Sequence, residues 1–404
     1  MNFKNTLLAL MVVSGGVVCA QIPENFDAES LYVLVDSDLD KKNYQEVVMN
    51  DSEVGKDQLL IIRKEAEGEP KTLEISNSLK GYSNQFVTNY DGRYVLVSSG
   101  DSSIQGYSSY ATEKGMVRIL DTKHGTILEE ELNSEAGPIA INHFKGIVAV
   151  AAGAEANSVS LLIWKGKSVA NTIEVFLKGL VAKDRISNLV WSATGNYLAV
   201  TFEHSNKVAF YRLTNDKDGI GLELKGKPVD CGVNPGVGVF SLDEQYFYAA
   251  DQNKDYKKGS VAGVKLDMVS GQHEFLQSVT ANIGPEMIRL SPDGKFLVTV
   301  NRRGAHLPSS DKNKTRMTSI SVFKILKNGK LKPLGEYPFP SLYPSDLRFD
   351  KSGSMLAVVA NRASGEDDRG EIVFWDFTPN KKIQLKLRTE RLAVPRGAHS
   401  ILVH

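Results

Sequence analysis

The stretch Ile288-Arg-Leu-Ser-Pro-Asp-Gly-Lys-Phe-Leu-Val-Thr-Val-Asn301 decides the fold of this chain. It reads as an apolar strand, a tight Asp-Gly turn and a second apolar strand, and a third strand at residues 319–325 follows after a loop. The landmark residue of this turn recurs at Gly92, Gly146, Gly195, Glu244, Gly294 and Gly353, so consecutive landmarks lie 49 to 59 residues apart. Strand-rich repeats of about 50 residues predict a β-propeller.

The number of units and the two chain ends predict how the propeller closes. Each unit continues into a third apolar strand and, in most copies, into a fourth, more polar strand, so seven units predict an all-β, seven-bladed propeller of four-stranded antiparallel blades. Residues 397–403 have the form of an innermost strand without successors, and residues 31–35 that of a second strand without a predecessor. We expect these two segments to complete one blade and so remove the open sheet edge.

The first twenty residues have the composition of a secretory signal peptide rather than of the fold. Lys4 supplies the positive charge, residues 7–18 the apolar core, and small residues precede Gln21. Cleavage after Ala20 predicts a secreted or periplasmic product with one domain, residues 21–404. Lipidation at Cys19 is the alternative, although Val18 stands where that signal needs a small residue. The apolar core is too short to predict a membrane span.

Composition restricts the class of partner. Lys plus Arg and Asp plus Glu balance at 48 each, which argues against a protein that binds nucleic acid by neutralising phosphates. There is no Cys/His cluster of the kind that holds zinc or haem, and residues 36–40 lack the glycine and the late acidic residue of a calcium loop. We therefore expect a monomer with no cofactor and no metal, whose one mature cysteine, Cys231, forms no intramolecular disulfide.

The phrase Ser291-Pro-Asp-Gly-Lys-Phe-Leu-Val-Thr-Val-Asn301, the repeat length and the expected closure resemble the YVTN-repeat, lactonase-like family of seven-bladed propellers. The resemblance covers nearly the whole mature chain and implies its fold. For activity it implies either a sugar-lactone hydrolase or one of the surface or periplasmic proteins with other roles. The copies that start at Gly137 and Asn234 depart from the phrase because they lack its Asp-Gly turn.

Strand order predicts where chemistry lies on such a fold. In blades whose antiparallel strands run outwards, the first residues of the inner strands and the loops between second and third strands share one face. We call the ring of inner-strand starts on that face the channel mouth. By register with Glu286, it is predicted to hold Asn84, Ile139, Ser187, Gly236, Glu286, Ser345 and His399. The next positions add Gln85, Asn188, Asp346 and Ser400.

The loops of this face are long in one sector only. Residues 36–58, 99–115, 301–318 and 361–370 form the long loops, and they belong to the last two and the first two blades, which are neighbours around a closed ring. Arg302 and Arg362 open two of these loops at matching positions, and Arg396 lies close to His399 in sequence. A funnel with a histidine, carboxylates and arginines suits an anionic or sugar-like ligand.

Two functional interpretations follow, and each residue also has a structural one. His399 is the candidate general base, and Glu286 and Asp346 are candidates to position water, but the same side chains could hydrogen-bond a neighbouring blade or be solvated. The candidate ligand-binding residues are Arg302, Arg362, Arg396, Asn84 and Asn188, although the arginines could instead form ion pairs between blades. The sequence favours a module that binds a small ligand or a protein partner without catalysis. The alternative is a lactonase-like hydrolase.

Overall fold

The computed structural model describes residues 18–19, 21–36, 57–65, 69–75, 84–99, 115–133, 136–152, 158–179, 184–217, 219–253, 257–305, 307, 310–363, 369–379 and 384–404. Within these ranges all regular structure is β-strand, so they include no helix of the length and apolarity that crossing a membrane requires. The expected cleavage site at Ala20, most of the expected signal peptide and most of the calcium-like segment 36–40 lie outside the described residues. The signal peptide and lipidation hypotheses stay predictions.

The strands are numbered in chain order. Those of the first half are β1 (Val18–Cys19), β2 (Ser30–Val35), β3 (Asp57–Arg63), β4 (Lys71–Ile75), β5 (Phe86–Thr88), β6 (Tyr94–Ser99), β7 (Met116–Asp121), β8 (Thr126–Glu131), β9 (Ala136–Asn142), β10 (Ile147–Ala152), β11 (Ser158–Lys165), β12 (Ser168–Phe176), β13 (Ile186–Trp191), β14 (Tyr197–Phe202) and β15 (Lys207–Asp216). Those of the second half are β16 (Gly219–Leu224), β17 (Val229–Asp230), β18 (Pro235–Phe240), β19 (Tyr246–Asp251), β20 (Lys258–Lys265), β21 (Glu274–Ile283), β22 (Pro285–Leu290), β23 (Phe296–Asn301), β24 (Met317–Ile325), β25 (Leu331–Pro340), β26 (Leu342–Phe349), β27 (Met355–Arg362), β28 (Arg369–Thr378), β29 (Gln384–Pro395) and β30 (Ala398–Val403).

These strands form seven antiparallel blades, as the repeat predicts. From the inside outwards, blade 1 is β30-β2-β3-β4, blade 2 is β5 to β8, blade 3 is β9 to β12, blade 4 is β13 to β16, blade 5 is β18 to β21, blade 6 is β22 to β25 and blade 7 is β26 to β29. β17 adds to blade 4 by pairing with β15, and β1 adds to blade 7 by a short parallel pairing with β29. The inner strands contact one another in order, and β30 contacts β5, so the ring is closed.

The tight turn of each repeat explains the spacing of the landmark residues. Gly92, Gly146, Gly195, Glu244, Gly294 and Gly353 all have a left-handed backbone, with φ between 56° and 72°. Glycine adopts this conformation without a steric penalty, which is why it recurs there. In blade 6 the turn is held by Asp293, whose carboxylate accepts from Ser291 Oγ at 2.6 Å and from Lys295 N at 3.1 Å. The predicted turns are confirmed in all six repeats.

The two chain ends close the ring in blade 1, as the sequence predicts. β30 pairs with β2 from Val403 opposite Leu31 to Ala398 opposite Val35. His404 N donates to Ser30 O at 3.0 Å, and Ser30 N donates back to His404 O at 2.9 Å. Ile401 is fully buried between the blades. Because this pairing joins the last strand to the first blade, it leaves no open edge on the inner ring.

Candidate functional site

A β-bulge recurs near the first residues of the inner strands, at the channel mouth. Ser187, Glu286, Ser345 and His399 are the extra residues in β13, β22, β26 and β30, and each has no partner opposite it in the ladder. In β9 and β18 the extra residue falls within residues 137–138 and 236–237. A bulge leaves its residue out of the ladder and redirects the side chain. The recurrent bulge therefore distinguishes the predicted ring from the rest of each strand.

The prediction is wrong for one position of the ring, Ile139. Ile139 pairs with Val150 in regular register and is only 1% exposed within the core of blades 2 and 3. The bulge of blade 3 lies earlier, at Gly137 or Pro138. A shift of one or two residues in the alignment of this divergent copy accounts for the error, because the copy lacks the Asp-Gly turn from which the register is counted.

Glu286 and Arg302 form an ion pair at the rim of blade 6. Arg302 Nε contacts Glu286 Oε1, and the arginine follows directly after β23, so strand pairing brings the two together. Glu286 is 7% exposed. Burial raises the pKa of its carboxyl group, and the charge of Arg302 opposes that rise. The pair thus holds a cation at the mouth, with a buried carboxylate behind it.

His399 is neutral at physiological pH, and one of its ring nitrogens has no hydrogen-bond partner among the described residues. Burial lowers the pKa of its imidazole to about 4, and the charge of Asp346 partly opposes this shift. Its Nδ1 lies 3.2 Å from Ser400 Oγ, whereas the Nε2 atom is buried and has no hydrogen-bond partner among the described residues. A proton on Nδ1 shared with Ser400 leaves the lone pair of Nε2 able to accept another proton.

Asp346 lies one residue after the bulge of β26, and its contacts are structural. The residue is 0% exposed. Its Oδ1 accepts from Arg289 Nη2 at 2.8 Å and from Leu347 N at 2.8 Å, and its Oδ2 accepts from Ile401 N at 3.2 Å. The carboxylate thereby ties the inner strands of blades 6 and 7 to the closing strand. Burial together with the charge of Arg348 lowers the pKa of Arg289 to about 9, although Asp346 opposes the shift.

The predicted asparagines meet each other on the other side of the mouth. Asn84 Nδ2 donates to Asn188 Oδ1 at 2.5 Å, which joins blade 2 to blade 4. Asn188 is 1% exposed, and its Nδ2 atom has no hydrogen-bond partner within the described part of the chain. The role of Asn188 in binding a ligand stays a prediction.

Arg362 lies near two further cations, Lys314 and Arg316, which the sequence analysis did not predict as site residues. Its charge and that of Arg316 lower the pKa of Lys314, after the larger effect of burial. Lys314 Nζ donates to Ala305 O at 2.7 Å and thereby ties down the loop after β23. Arg396 lies at the turn before β30, three residues from His399. The arginines at matching positions are thus divided between an ion pair with Glu286 and a separate cluster.

Two bulky residues near this sector have a strained backbone. Arg303 has φ 52° and follows Arg302, and Tyr343 has φ 53° and lies at the start of β26. Such values are uncommon for side chains with a Cβ and often occur at functional sites. Residues 37–56, 100–114 and 364–368, which make up most of three predicted long loops, lie outside the described residues. The expected wall can therefore be described for blades 6 and 7 only.

Sequence reasoning missed Arg289, Lys314 and Arg316. Arg289 carried a readable signal, because a charged residue interrupts the apolar strand of the opening phrase, and buried arginine requires a partner. Lys314 and Arg316 carried none, since their approach to Arg362 depends on how blades 6 and 7 pack.

Comparison with known proteins agrees with this architecture. The family described as "Lactonase, 7-bladed beta-propeller" matches residues 277–366. A 6-phosphogluconolactonase of Formosa agariphila is 33% identical over 143 residues, which is 33% of this chain and 35% of that protein. The match thus spans about a third of the curated relative's length.

Two solved structures share the fold over most of both chains. The periplasmic gluconolactonase PpgL of Pseudomonas aeruginosa superposes with a TM-score of 0.62 at 16% identity, over 93% of this chain and 99% of that one. A protein of Lactobacillus plantarum superposes with a TM-score of 0.61 at 16% identity, over 93% and 99%. Structural similarity at sequence identities this low indicates a shared fold and does not indicate a shared activity. By architecture this chain is a seven-bladed β-propeller, and its residues 277–366 are similar to the lactonase family of such propellers.

Proposed function

We propose that this protein hydrolyses lactones of sugar-derived acids at the channel mouth. The observation that carries the proposal is His399, a neutral imidazole at a β-bulge whose Nε2 has no hydrogen-bond partner among the described residues. The matched family and the names of the relatives support hydrolysis over the binding-only interpretation that the sequence favours. That support is by analogy, because one propeller fold carries many functions.

The proposed chemistry is general-base hydrolysis. Nε2 of His399 accepts a proton from water as the water oxygen attacks the lactone carbonyl carbon, and the carbonyl electron pair moves to its oxygen. When this tetrahedral intermediate collapses, the ring C–O bond breaks, and His399 returns the proton to the leaving alkoxide. The product is the open hydroxy acid. Lactone and water account for all its atoms, and no cofactor takes part.

The Glu286–Arg302 pair supplies electrostatic stabilisation in this proposal. The buried carboxylate of Glu286 holds Arg302 at the mouth, so the positive charge is in place before the substrate arrives. A cation at the mouth favours the negative charge that develops on the carbonyl oxygen. Asp346 has a different role, because its oxygens are engaged by Arg289, Leu347 and Ile401. We assign it to positioning of the strand that carries His399.

The test is hydrolysis of a panel of sugar δ-lactones, measured as acid release by the purified protein and corrected for the spontaneous reaction. We expect His399→Gln to lower kcat by about 100-fold or more, because general-base catalysis contributes that much. The neutral imidazole is the active form. The rate of the wild type should therefore stay level from pH 7 to about 5 and decline as His399 protonates near pH 4.

His204→Gln is the matched control, since this exposed histidine lies on the same face in blade 4, next to Asp184. It should leave kcat unchanged. No turnover of any lactone by the wild type, or equal rates in His399→Gln and the wild type, would refute the proposal. Binding of the open hydroxy acid without turnover would instead support the interpretation that the protein binds a ligand without catalysis.

A further inference from the structure

We propose that the central channel binds a monovalent inorganic anion of the halide class, such as chloride, between Arg289 and Arg348. These arginines lie on the inner strands of blades 6 and 7, farther from the channel mouth than Glu286. The proposal does not depend on the proposed hydrolysis. It is argued from strand register, from the hydrogen bonds of the two guanidinium groups and from the charge around them.

Strand register places both arginines in one ring of the channel. Each is the second-to-last residue of its inner strand and follows the bulged residue, Glu286 or Ser345, by three positions. We call the second-to-last positions of the seven inner strands the lower ring. Its other members are aliphatic: Val87, Ile141, Val190, Val239 and Leu402. The lower ring is therefore apolar except on the side of blades 6 and 7.

Backbone contacts place the arginines along the channel. Arg348 Nε donates to Ile401 O at 2.9 Å, and Ile401 N donates to Asp346 Oδ2 at 3.2 Å. Ser30 and His404 exchange two hydrogen bonds, and such pairs alternate along an antiparallel ladder. By this alternation the N–H and C=O groups of Ile401 point away from β2, towards the inner edge of β30. Since that edge lines the channel, Asp346 and Arg348 reach into the channel.

The channel holds two guanidinium groups beside one carboxylate. Among the described residues Asp346 is the carboxylate that contacts Arg289, at 2.8 Å, and Arg348, at 3.6 Å. Burial and the charge of Arg348 lower the pKa of Arg289 to about 9, and the charge of Asp346 opposes this shift. The two cations therefore repel each other within a largely aliphatic ring. One monovalent anion would neutralise the excess of positive charge.

Arg289 has an N–H donor that such an ion can use. Its side chain is 9% exposed, with Nη2 bonded to Asp346 and Nη1 to Ile288 O. Its Nε atom is buried and has no hydrogen-bond partner within the described part of the chain. A buried donor without a partner destabilises a protein, so this atom calls for an explanation. A bound anion would accept from it.

The lower ring fits a halide ion better than sulfate, phosphate or a carboxylate. Each oxygen of an oxyanion requires hydrogen-bond donors when it leaves water, and the aliphatic members of the lower ring offer none. A divalent ion would also reverse the excess charge instead of cancelling it. A halide ion is a sphere with one charge, so contacts on the side of the arginines are sufficient. Because Arg348 also bonds Ile401 O, the ion would stabilise the closing strand.

The experiment measures chloride binding to the full chain without its predicted signal, by the broadening of the chloride NMR line during a titration with sodium chloride. We expect saturable broadening that bromide displaces and that sulfate at the same ionic strength does not. A crystal soaked in sodium bromide should show an anomalous-scattering peak between Arg289 and Arg348. Broadening that does not saturate, or a soaked crystal without this peak, would overturn the proposal.

Val239→Glu and Val239→Gln form a matched pair of variants. Val239 is the lower-ring neighbour of Arg289, because β18 and β22 are adjacent inner strands. The glutamate should take the place of the anion and weaken chloride binding about tenfold or more. The glutamine has nearly the same size without the charge and should leave chloride binding unchanged. Equal chloride binding by the two variants would count against the site.

Arg348→Gln removes one of the two cations from the site. It should weaken chloride binding about tenfold or more, because a charge-assisted contact is lost. Arg212→Gln is the control, since Arg212 Nε donates to Glu223 at 2.9 Å on the exposed surface, and it should bind chloride as the wild type does. Wild-type binding by Arg348→Gln would refute the proposal. Melting temperatures show which variants fold, and if Arg348→Gln does not, the two variants of Val239 decide.

Discussion

At the scale of single residues, Asp346 shows how one carboxylate can serve a site without reaching it. It lies beside the bulge of Ser345, yet both of its oxygens are used inside the protein by Arg289, Leu347 and Ile401. A buried carboxylate that accepts hydrogen bonds from three donors holds these neighbours in place. Its effect on catalysis would pass through the position of His399 on the closing strand.

Replacing Asp346 should therefore mainly lower the stability of the fold. We expect Asp346→Ala to lower the free energy of unfolding by about 3–5 kcal/mol, because it leaves Arg289 buried without its partner. Urea unfolding measures this. Asp230→Ala is the control: Asp230 pairs with Lys207 at 2.6 Å on the exposed surface, so its loss should cost at most about 1 kcal/mol. Unchanged stability in Asp346→Ala together with lost turnover would instead make Asp346 a catalytic residue.

At the scale of elements, the bulge near the start of the inner strands separates core positions from the positions at the channel mouth. Residues after the bulge alternate regularly and fill the core, as Met287 and Ile288 do in β22. The bulged residue itself carries the variable chemistry: serine in blades 4 and 7, glutamate in blade 6 and histidine in blade 1. The same bulge thus presents serine, glutamate or histidine, depending on the blade.

The turn before β30 places the bulge of blade 1, and Gly397 is the residue that permits it. Gly397 has φ 93°, and a Cβ there would lie 1.9 Å from Asp36 O. Gly397→Ala should destabilise the protein by about 2–5 kcal/mol, the sum of a left-handed alanine and a backbone clash. Gly166→Ala is the control, since Gly166 has φ 69° with nothing within 4 Å of an added Cβ, and it should cost about 1–2 kcal/mol. Equal melting temperatures for the two variants would contradict this reasoning.

At the scale of the whole molecule, the ring depends on its last strand. β30 supplies the inner strand of blade 1 and contacts the inner strands of blades 2 and 7. Ala398 and Ile401 are fully buried within the core cluster that joins blades 7 and 1. Loss of this strand would expose the inner edge of β2 and open the ring at one point.

Deleting residues 397–404 should abolish cooperative unfolding, and Ile401→Ala should cost about 2–5 kcal/mol. The reactivity of Cys231 with a thiol reagent reports the result. This thiol is fully buried, and burial raises its pKa to about 12, so the intact ring should protect it and the truncated chain should react at once. Val269→Ala at a site that is 94% exposed is the control and should change neither property. A truncated chain with the melting temperature of the wild type would disprove closure by β30.

The sequence by itself determined the propeller, its seven blades, the turns and the closure, because these depend on local alternation and on the left-handed glycines that recur about every fifty residues. It also predicted Asn84, Asn188, Glu286 and His399 as candidate residues of the channel mouth. Tertiary structure alone decided which of them are engaged. Glu286 meets Arg302, Asn84 meets Asn188, Asp346 turns inwards, and Lys314 and Arg316 gather near Arg362. Contacts between strands and between blades join residues that are far apart in the chain, and no local sequence pattern encodes such contacts.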